Sequence, residues 1–265
     1  MGQVPPGYSV SCFKEIDSTN LEALRLAGKG TEGPLWVVAE RQTQGRGRRG
    51  RNWITADGNL FATLLLTGQG PARVISGLSF VAAVAVAHMI EQMVAQAGST
   101  AQIGLKWPND ILLNNGKAGG ILIETSGSIL RQDAHAVAIG IGLNVSSHPT
   151  EALAYPTTDF SECGIDMTCR DVFEQLTVSF DHYLNLWQHG AGFAVIKQRW
   201  LEFGPSVGQE LKIDTGVDVI TGAFMGLDQH GELILQLSDG RQQVIVAGDI
   251  TESTSDPKLP TRDSL

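Results

Sequence analysis

Apolar and polar positions follow two periods along this chain, and the change from one to the other divides it. Tyr8–Lys14 alternates in the manner of a strand. Asp17-Ser18-Thr19-Asn20 then supplies helix-capping side chains ahead of Leu21–Ala27, a short helical run that stops at Gly28. Leu35–Glu40 is rich in β-formers and Asn59–Thr67 reads as a buried strand, so the glycine- and arginine-rich stretch between them joins two strands. Val74–Ala97 is alanine-rich with apolar residues on most faces, which predicts a helix packed inside the protein. Short β-type runs follow at Ile103–Trp107, Asp110–Leu113, Ile121–Thr125 and Ala136–Gly142, separated by turn signals at Pro108-Asn109 and Asn115-Gly116. Asp171–Trp187 and Phe193–Phe203 return to helical spacing and could cover one face of the sheet. Consecutive short strands favour an antiparallel or mixed sheet, so residues 1–204 are expected to form an α+β domain.

From Gly208 the period stays at two, and the strands are broken by Asp214-Thr215-Gly216, His230-Gly231 and Asp239-Gly240. Gly204-Pro205 marks the boundary, and residues 205–250 are expected to form a small β-barrel. The polar tail 251–265 contains two prolines and is expected to be disordered.

Composition adds a local anomaly to this picture. The chain has 265 residues, 42% of them hydrophobic, and a formal charge of −9, so a broad nucleic-acid surface is not expected. Yet residues 41–51 hold Arg41, Arg46, Arg48, Arg49 and Arg51 and no acid. The three cysteines show no C-x-x-C spacing and are read as reduced and structural. No leader pattern opens the chain, and its longest apolar run, Phe80–Ala87, is far short of the roughly 20 residues that a bilayer needs. A soluble, cytoplasmic protein is expected.

Residues 45–50 spell G-R-G-R-R-G, but the dinucleotide pattern also requires a following helix and an acid about 20 residues on, and neither is present. A P-loop is absent too. Alternating glycine and arginine instead suits an anion cradle, because guanidinium forks grip phosphate or carboxylate while glycines let backbone N–H groups approach the same anion. The bland alternative is a solvated basic turn or an RNA-binding segment; a single occurrence between apolar strands favours an ordered small-anion site.

Lys106-Trp107-Pro108-Asn109-Asp110 puts a flexible cation, a fixed turn and an amide–carboxylate pair within five residues. Asp110 could ligate Mg²⁺ and Lys106 could neutralise a departing pyrophosphate; alternatively this is an ordinary Asx turn with Trp107 in the core. Lys117 precedes Ala118-Gly119-Gly120 and could point into a pocket, or be an exposed hairpin lysine. Asn144 could read a base edge or only stabilise a turn. The scattered histidines and the absence of a nucleophile elbow argue against triad or zinc hydrolysis.

Taken in order, DSTN at 17–20, GRGRRGRNW at 45–53, KWPND at 106–110, KAGGILIE at 117–124 and GIGLNV at 140–145 resemble biotin protein ligases. The resemblance covers the catalytic domain nearly end to end. It implies a class II aminoacyl-tRNA synthetase-like catalytic fold closed by an SH3-like barrel, and an enzyme that makes biotinyl-5′-AMP from biotin and MgATP and passes biotin to one lysine of a carboxylase carrier domain. It places Ser18, Thr19, Asn20, Gln42, Gly45, Arg46, Gly47, Arg48, Lys117 and Gly119 on biotin. Arg48, Arg49, Arg51, Trp53, Lys106, Asn109 and Asn144 fall on ATP or the adenylate, with Arg48, Lys106, Asp110 and Lys117 as the reactive set and Asp110, with Asn109, serving Mg²⁺ or the incoming lysine. The mixed anhydride must be kept from water, so a loop that is disordered without ligand and closes over it is expected.

About seven residues precede the first strand, which leaves no room for a helix-turn-helix, so a stand-alone ligase without DNA or membrane partners is expected, as monomer or homodimer. Two other readings are a lipoate ligase, which shares the chemistry, and an RNA-binding module built on residues 45–51.

Overall fold

The computed structural model describes residues 3–69, 72–126, 135–150 and 155–253. A seven-stranded sheet forms the centre, in the order β1-β2-β3-β7-β6-β5-β4. The strands are β1 (Ser9–Ile16), β2 (Leu35–Gln42), β3 (Leu60–Gln69), β4 (Ile103–Lys106), β5 (Asp110–Leu113), β6 (Gly116–Ser126) and β7 (His135–Leu143). β1 and β2 run parallel and every other pair is antiparallel, so the sheet is mixed.

Strand alternation sorts the core onto two faces. Leu35, Val37, Leu65 and Ala138 turn toward α1 (Thr19–Gly28) with Ala23. Trp36, Leu64, Leu66, Val137 and Ile139 turn the other way, into the larger core. There α3 (Gly77–Ala97), α4 (Cys169–Trp187) and α5 (Phe193–Phe203) pack together, and Trp36 meets Phe173 and Phe180 edge-on at 5.7 and 5.6 Å. The helix expected over 74–97 is divided at Ser76 into α2 (Ala72–Ile75) and α3. Gly77 opens α3 where the Trp187 indole presses against it: a Cβ there would lie 3.0 Å from Nε1. α3 has the length and apolarity of a membrane span, and 67% of its most apolar window is buried inside the protein.

The capping expectation for 17–20 needs correction. Thr19 and Asn20 lie inside α1, and the Ser18 side chain makes no cap bond. The Thr19 N–H donates instead to Gln42 Oε1 at 2.8 Å, so the helix end is closed from β2; Ser18, Thr19 and Asn20 are buried, while Asp17 stays outside, paired with Arg25.

A second sheet, in the order β11-β10-β9-β8-β12, is antiparallel throughout. Its strands are β8 (Glu210–Asp214), β9 (Val219–Leu227), β10 (Leu233–Gln236), β11 (Gln242–Ile245) and β12 (Asp249–Ser253). Its apolar side, with Leu211, Phe224, Leu235 and Ile250, joins the main core. Trp107 Nε1 donates to Gly231 O at 3.2 Å, so Trp107 is indeed a core residue and fastens the two sheets together. Thr251–Ser253, expected in the tail, extend β12 because Ile250 is buried beside them and Thr251 Oγ1 donates to Lys212 O. Residues 254–265 of the expected tail lie outside the described residues.

Candidate active site

Buried polar groups need partners, and those at the start of α1 find them across the sheet. Ser18, Thr19 and Asn20 are buried. Gln42 Oε1 accepts from both the N–H and the Oγ1 of Thr19. Asn20 Nδ2 donates to Glu124 Oε2 at 2.9 Å and to Leu122 O, while Thr63 Oγ1 donates to Asn20 Oδ1 at 2.7 Å. Gly140 makes room for this amide, since a Cβ there would lie 2.3 Å from Asn20 Oδ1. The result is a polar floor with fixed orientation.

The arginine loop folds over that floor. Gly47 N donates to Arg51 O at 2.7 Å, Trp53 N donates to Gly45 O at 2.9 Å, and Arg49 and Gly50 turn the chain with φ of 53° and 71°. Arg46 reaches back to Glu124 at 3.1 Å, so Glu124 joins loop and floor. Arg48 donates to Asn109 Oδ1 at 3.2 Å and to Asp249 Oδ1 at 2.9 Å, and Arg51 donates to Asp249 Oδ2 at 3.0 Å. Burial pushes the Arg48 guanidinium below its ordinary range; Asp249 opposes this, and Arg49 and Arg51 add to it.

Lys117 forms the opposite wall. Its Nζ lies 2.6 Å from Asp110 Oδ1 and sits over the rings of Trp53 and Tyr155 at 5.8 and 5.2 Å. It belongs to β6 and is mostly buried, so it is no exposed hairpin lysine. Trp53 rests on bare backbone: Cβ atoms at Gly120 and Gly142 would lie 3.2 and 2.7 Å from its ring. Asn109 Nδ2 donates to Ile121 O while Ile121 N donates to Asn109 O, which fixes the turn against β6. Burial lowers the Lys106 pKa, with Asp110 opposing and Lys117 adding to the fall.

One cleft is thus lined by Ser18, Thr19, Asn20, Gln42, Arg46, Gly47, Arg48, Arg51, Trp53, Asn109 and Lys117, all expected from the sequence. Other expected residues lie outside its lining. Gly119 is wedged in the sheet, where a Cβ would lie 2.5 Å from Leu143 Cδ2, and Gly120 takes its place at the cleft. Asn144 spends its amide on Lys117 O and Thr158 O, so it holds the backbone of the Lys117 wall. Arg49 points to the second sheet, toward Asp214 O and Asp249. Gly45 closes the loop, with Trp53 O 2.5 Å from where its Cβ would be. Lys106 and Asp110 line an adjoining groove that also includes Lys117 and Tyr155. Glu124, Tyr155 and Asp249 were not foreseen, and Gly120 was expected only as one of the small residues beside Lys117; for Glu124 the acidic end of KAGGILIE was the one available signal.

Among the described residues, the one His/Asp/Glu group close enough to share a metal is His148, Asp159 and Glu162, none of which lines the cleft.

Residues 12–144 match the Biotin/lipoate A/B protein ligase family and residues 207–251 match the Biotin protein ligase C terminal domain. The chain is 40% identical over 242 residues to the biotin–[acetyl-CoA-carboxylase] ligase of Paracoccus denitrificans, covering 88% of this chain and 96% of that one. It is 31% identical over 242 residues to the enzyme of the same name from Mycobacterium tuberculosis, covering 89% of this chain and 86% of the relative. Its structure resembles the biotin protein ligase from Aquifex aeolicus in complex with biotin and ATP, with a TM-score of 0.74 and 27% identity over 91% of this chain and 97% of the other.

Proposed function

The chain belongs to the biotin protein ligase family, and on that premise we propose that it activates biotin with MgATP to biotinyl-5′-AMP and transfers biotin to one lysine of a biotin carboxyl carrier domain. The observation that carries this reading is the meeting of Arg46, Arg48, Arg51 and Lys117 over a floor of buried polar side chains on an otherwise acidic protein.

Biotin enters head first, with its polar ring on Ser18, Thr19, Asn20 and Gln42, where donors and acceptors are already oriented. Its carboxylate then lies among the cations. In the first step a carboxylate oxygen attacks the α-phosphorus and the bond to pyrophosphate breaks. Both reactants are anionic, so the fixed positive charges of Arg48, Arg51 and Lys117 lower the barrier to their meeting. Lys106, just outside the cleft, meets the departing pyrophosphate. Trp53 and Tyr155, flanking Lys117, wall the adenosine side.

In the second step the neutral amine of the acceptor lysine attacks the anhydride carbonyl carbon, the bond to AMP breaks so that AMP leaves as a phosphate anion, and the nitrogen passes one proton to solvent. Asp110 orients that amine, and Arg48 holds the intermediate until the amine arrives. The loop at 45–53 serves as the lid that excludes water and settles fully on ligand binding.

Asp110 Oδ1 pairs with Lys117 at 2.6 Å, which leaves the second carboxylate oxygen for the acceptor amine or for Mg²⁺. Mg²⁺ would arrive on the ATP phosphates, a common mode for this ion. The short antiparallel strands and tight turns of β8–β12 support an SH3-like domain beside a synthetase-like catalytic fold. We read the protein as cytoplasmic, without a DNA partner, and as monomer or homodimer. Biotin-dependent exchange between ATP and labelled pyrophosphate tests the first step. Exchange with biotin and none with lipoate is expected, and exchange with lipoate alone would overturn the reading.

A further inference from the structure

A groove of about 640 Å³ opens beside the cleft, between the edge strand β4 and the C-terminal sheet. Its inner end is formed by Asp110, Lys117 and Tyr155, and the last two also line the cleft, so the two spaces are continuous. Along one side runs β4, which pairs with β5 and, among the described strands, with nothing on its other edge. The far wall is the link from α5 into β8, where Val207 stays 68% exposed although it is apolar. Glu202 and Glu252 stand toward the C-terminal side of the groove, paired with Arg199 and Lys212.

We propose that this groove is the docking site for the lysine-bearing segment of the acceptor protein, which lies along the free edge of β4 and delivers its amine to Asp110. The proposal rests on the ligase reading. An unpaired strand edge offers a row of backbone donors and acceptors to an extended segment, and the apolar wall offers it side-chain pockets. Charge separates this occupant from a nucleotide. The groove's lining cations, Lys106 and Lys117, both stand near Asp110, and its other lining acids, Glu202 and Glu252, are each held by a neighbouring cation. A triphosphate finds no lining cation along the rest of the groove, whereas an extended segment that carries a lysine needs none there. The continuity at Lys117 and Tyr155 then places the amine beside the anhydride.

The test uses the full chain with a biotin carboxyl carrier domain as acceptor. Val207→Arg puts a cation on the exposed apolar wall, and Glu252→Lys reverses an exposed carboxylate; neither residue belongs to the reaction site. Each is expected to raise the acceptor KM about tenfold. Biotin-dependent ATP–pyrophosphate exchange should stay within about twofold of wild type, as should the trapping of the intermediate by hydroxylamine, a nucleophile too small to need docking. Backbone amides of 103–106 should also exchange hydrogen more slowly when acceptor is bound. An unmoved acceptor KM in both variants would overturn the docking site. So would a rise in the KM for ATP instead, which would assign the groove to the nucleotide. A wild-type protein without exchange would overturn the ligase reading and the proposal together, an outcome distinct from exchange with unaltered acceptor kinetics.

Discussion

Arg48 of the arginine loop donates to Asp249 of β12 at 2.9 Å, across 201 positions of sequence. Arg51 and Arg49 reach the same carboxylate at 3.0 and 3.5 Å, so one acid of the C-terminal sheet gathers three cations of the loop. Asp249→Asn leaves these guanidiniums to repel one another with no anion between them. The pairs are partly exposed, so the lost anchoring is only about 1 kcal/mol. That is still enough to let the loop open several-fold more often. Limited trypsin digestion without ligand should therefore cut within 46–51 about fivefold faster in the variant, and an unchanged cutting rate would remove Asp249 from this role.

Arg48→Gly should loosen the hold on biotinyl-AMP, because the side chain bonded to Asn109 at 3.2 Å and standing over the cleft is lost. Escaped intermediate should then label lysines of bystander proteins indiscriminately. A streptavidin blot of a mixture of carrier domain and serum albumin checks this: labelled albumin is expected with the variant and none with wild type.

Lys117→Ala removes the cation that faces Asp110 at 2.6 Å and two aromatic rings. Single-turnover formation of biotinyl-AMP should fall by at least about 100-fold, as for loss of a cation aimed at developing charge. The thermal unfolding midpoint should drop little, since the side chain belongs to the cleft and not to the core. Near-normal adenylation would take Lys117 out of the reaction.

Burial holds Lys106 below the ordinary lysine range, with Asp110 acting against that fall. A depressed lysine loses its charge as pH rises, and loses it earlier than an exposed one. If that charge assists pyrophosphate departure, the adenylation rate should decline on the alkaline side below the ordinary lysine pKa. Lys106→Arg keeps the cation at all these pH values and should move the decline upward by about 1 pH unit or more. A pH profile of pyrophosphate exchange checks the direction.

Much of this site could be read from the chain because its parts are local. GRGRRG carries its own chemistry, and the strands on either side follow from alternation. Gly119 lies outside the cleft lining because β6 is not regular. Ile111 pairs with Gly119 but Leu112 pairs with Lys117, so Ala118 is an extra residue in the ladder. This bulge breaks the parity from which a strand's faces are counted, and Gly120 comes to face the cleft. The DSTN side chains were read as local caps because the Gln42 amide that closes α1 lies 23 residues away. Asp249 and the Arg46–Glu124 pair join segments whose sequences say nothing about each other, and only the packing of β12 and β6 against the loop brings them together.

The most direct test of the central claim is intact-mass spectrometry of a biotin carboxyl carrier domain after incubation with this protein, biotin and MgATP. One added biotinyl group on a single lysine, dependent on both biotin and ATP, is expected. An unmodified carrier, or one modified only when lipoate replaces biotin, would contradict it.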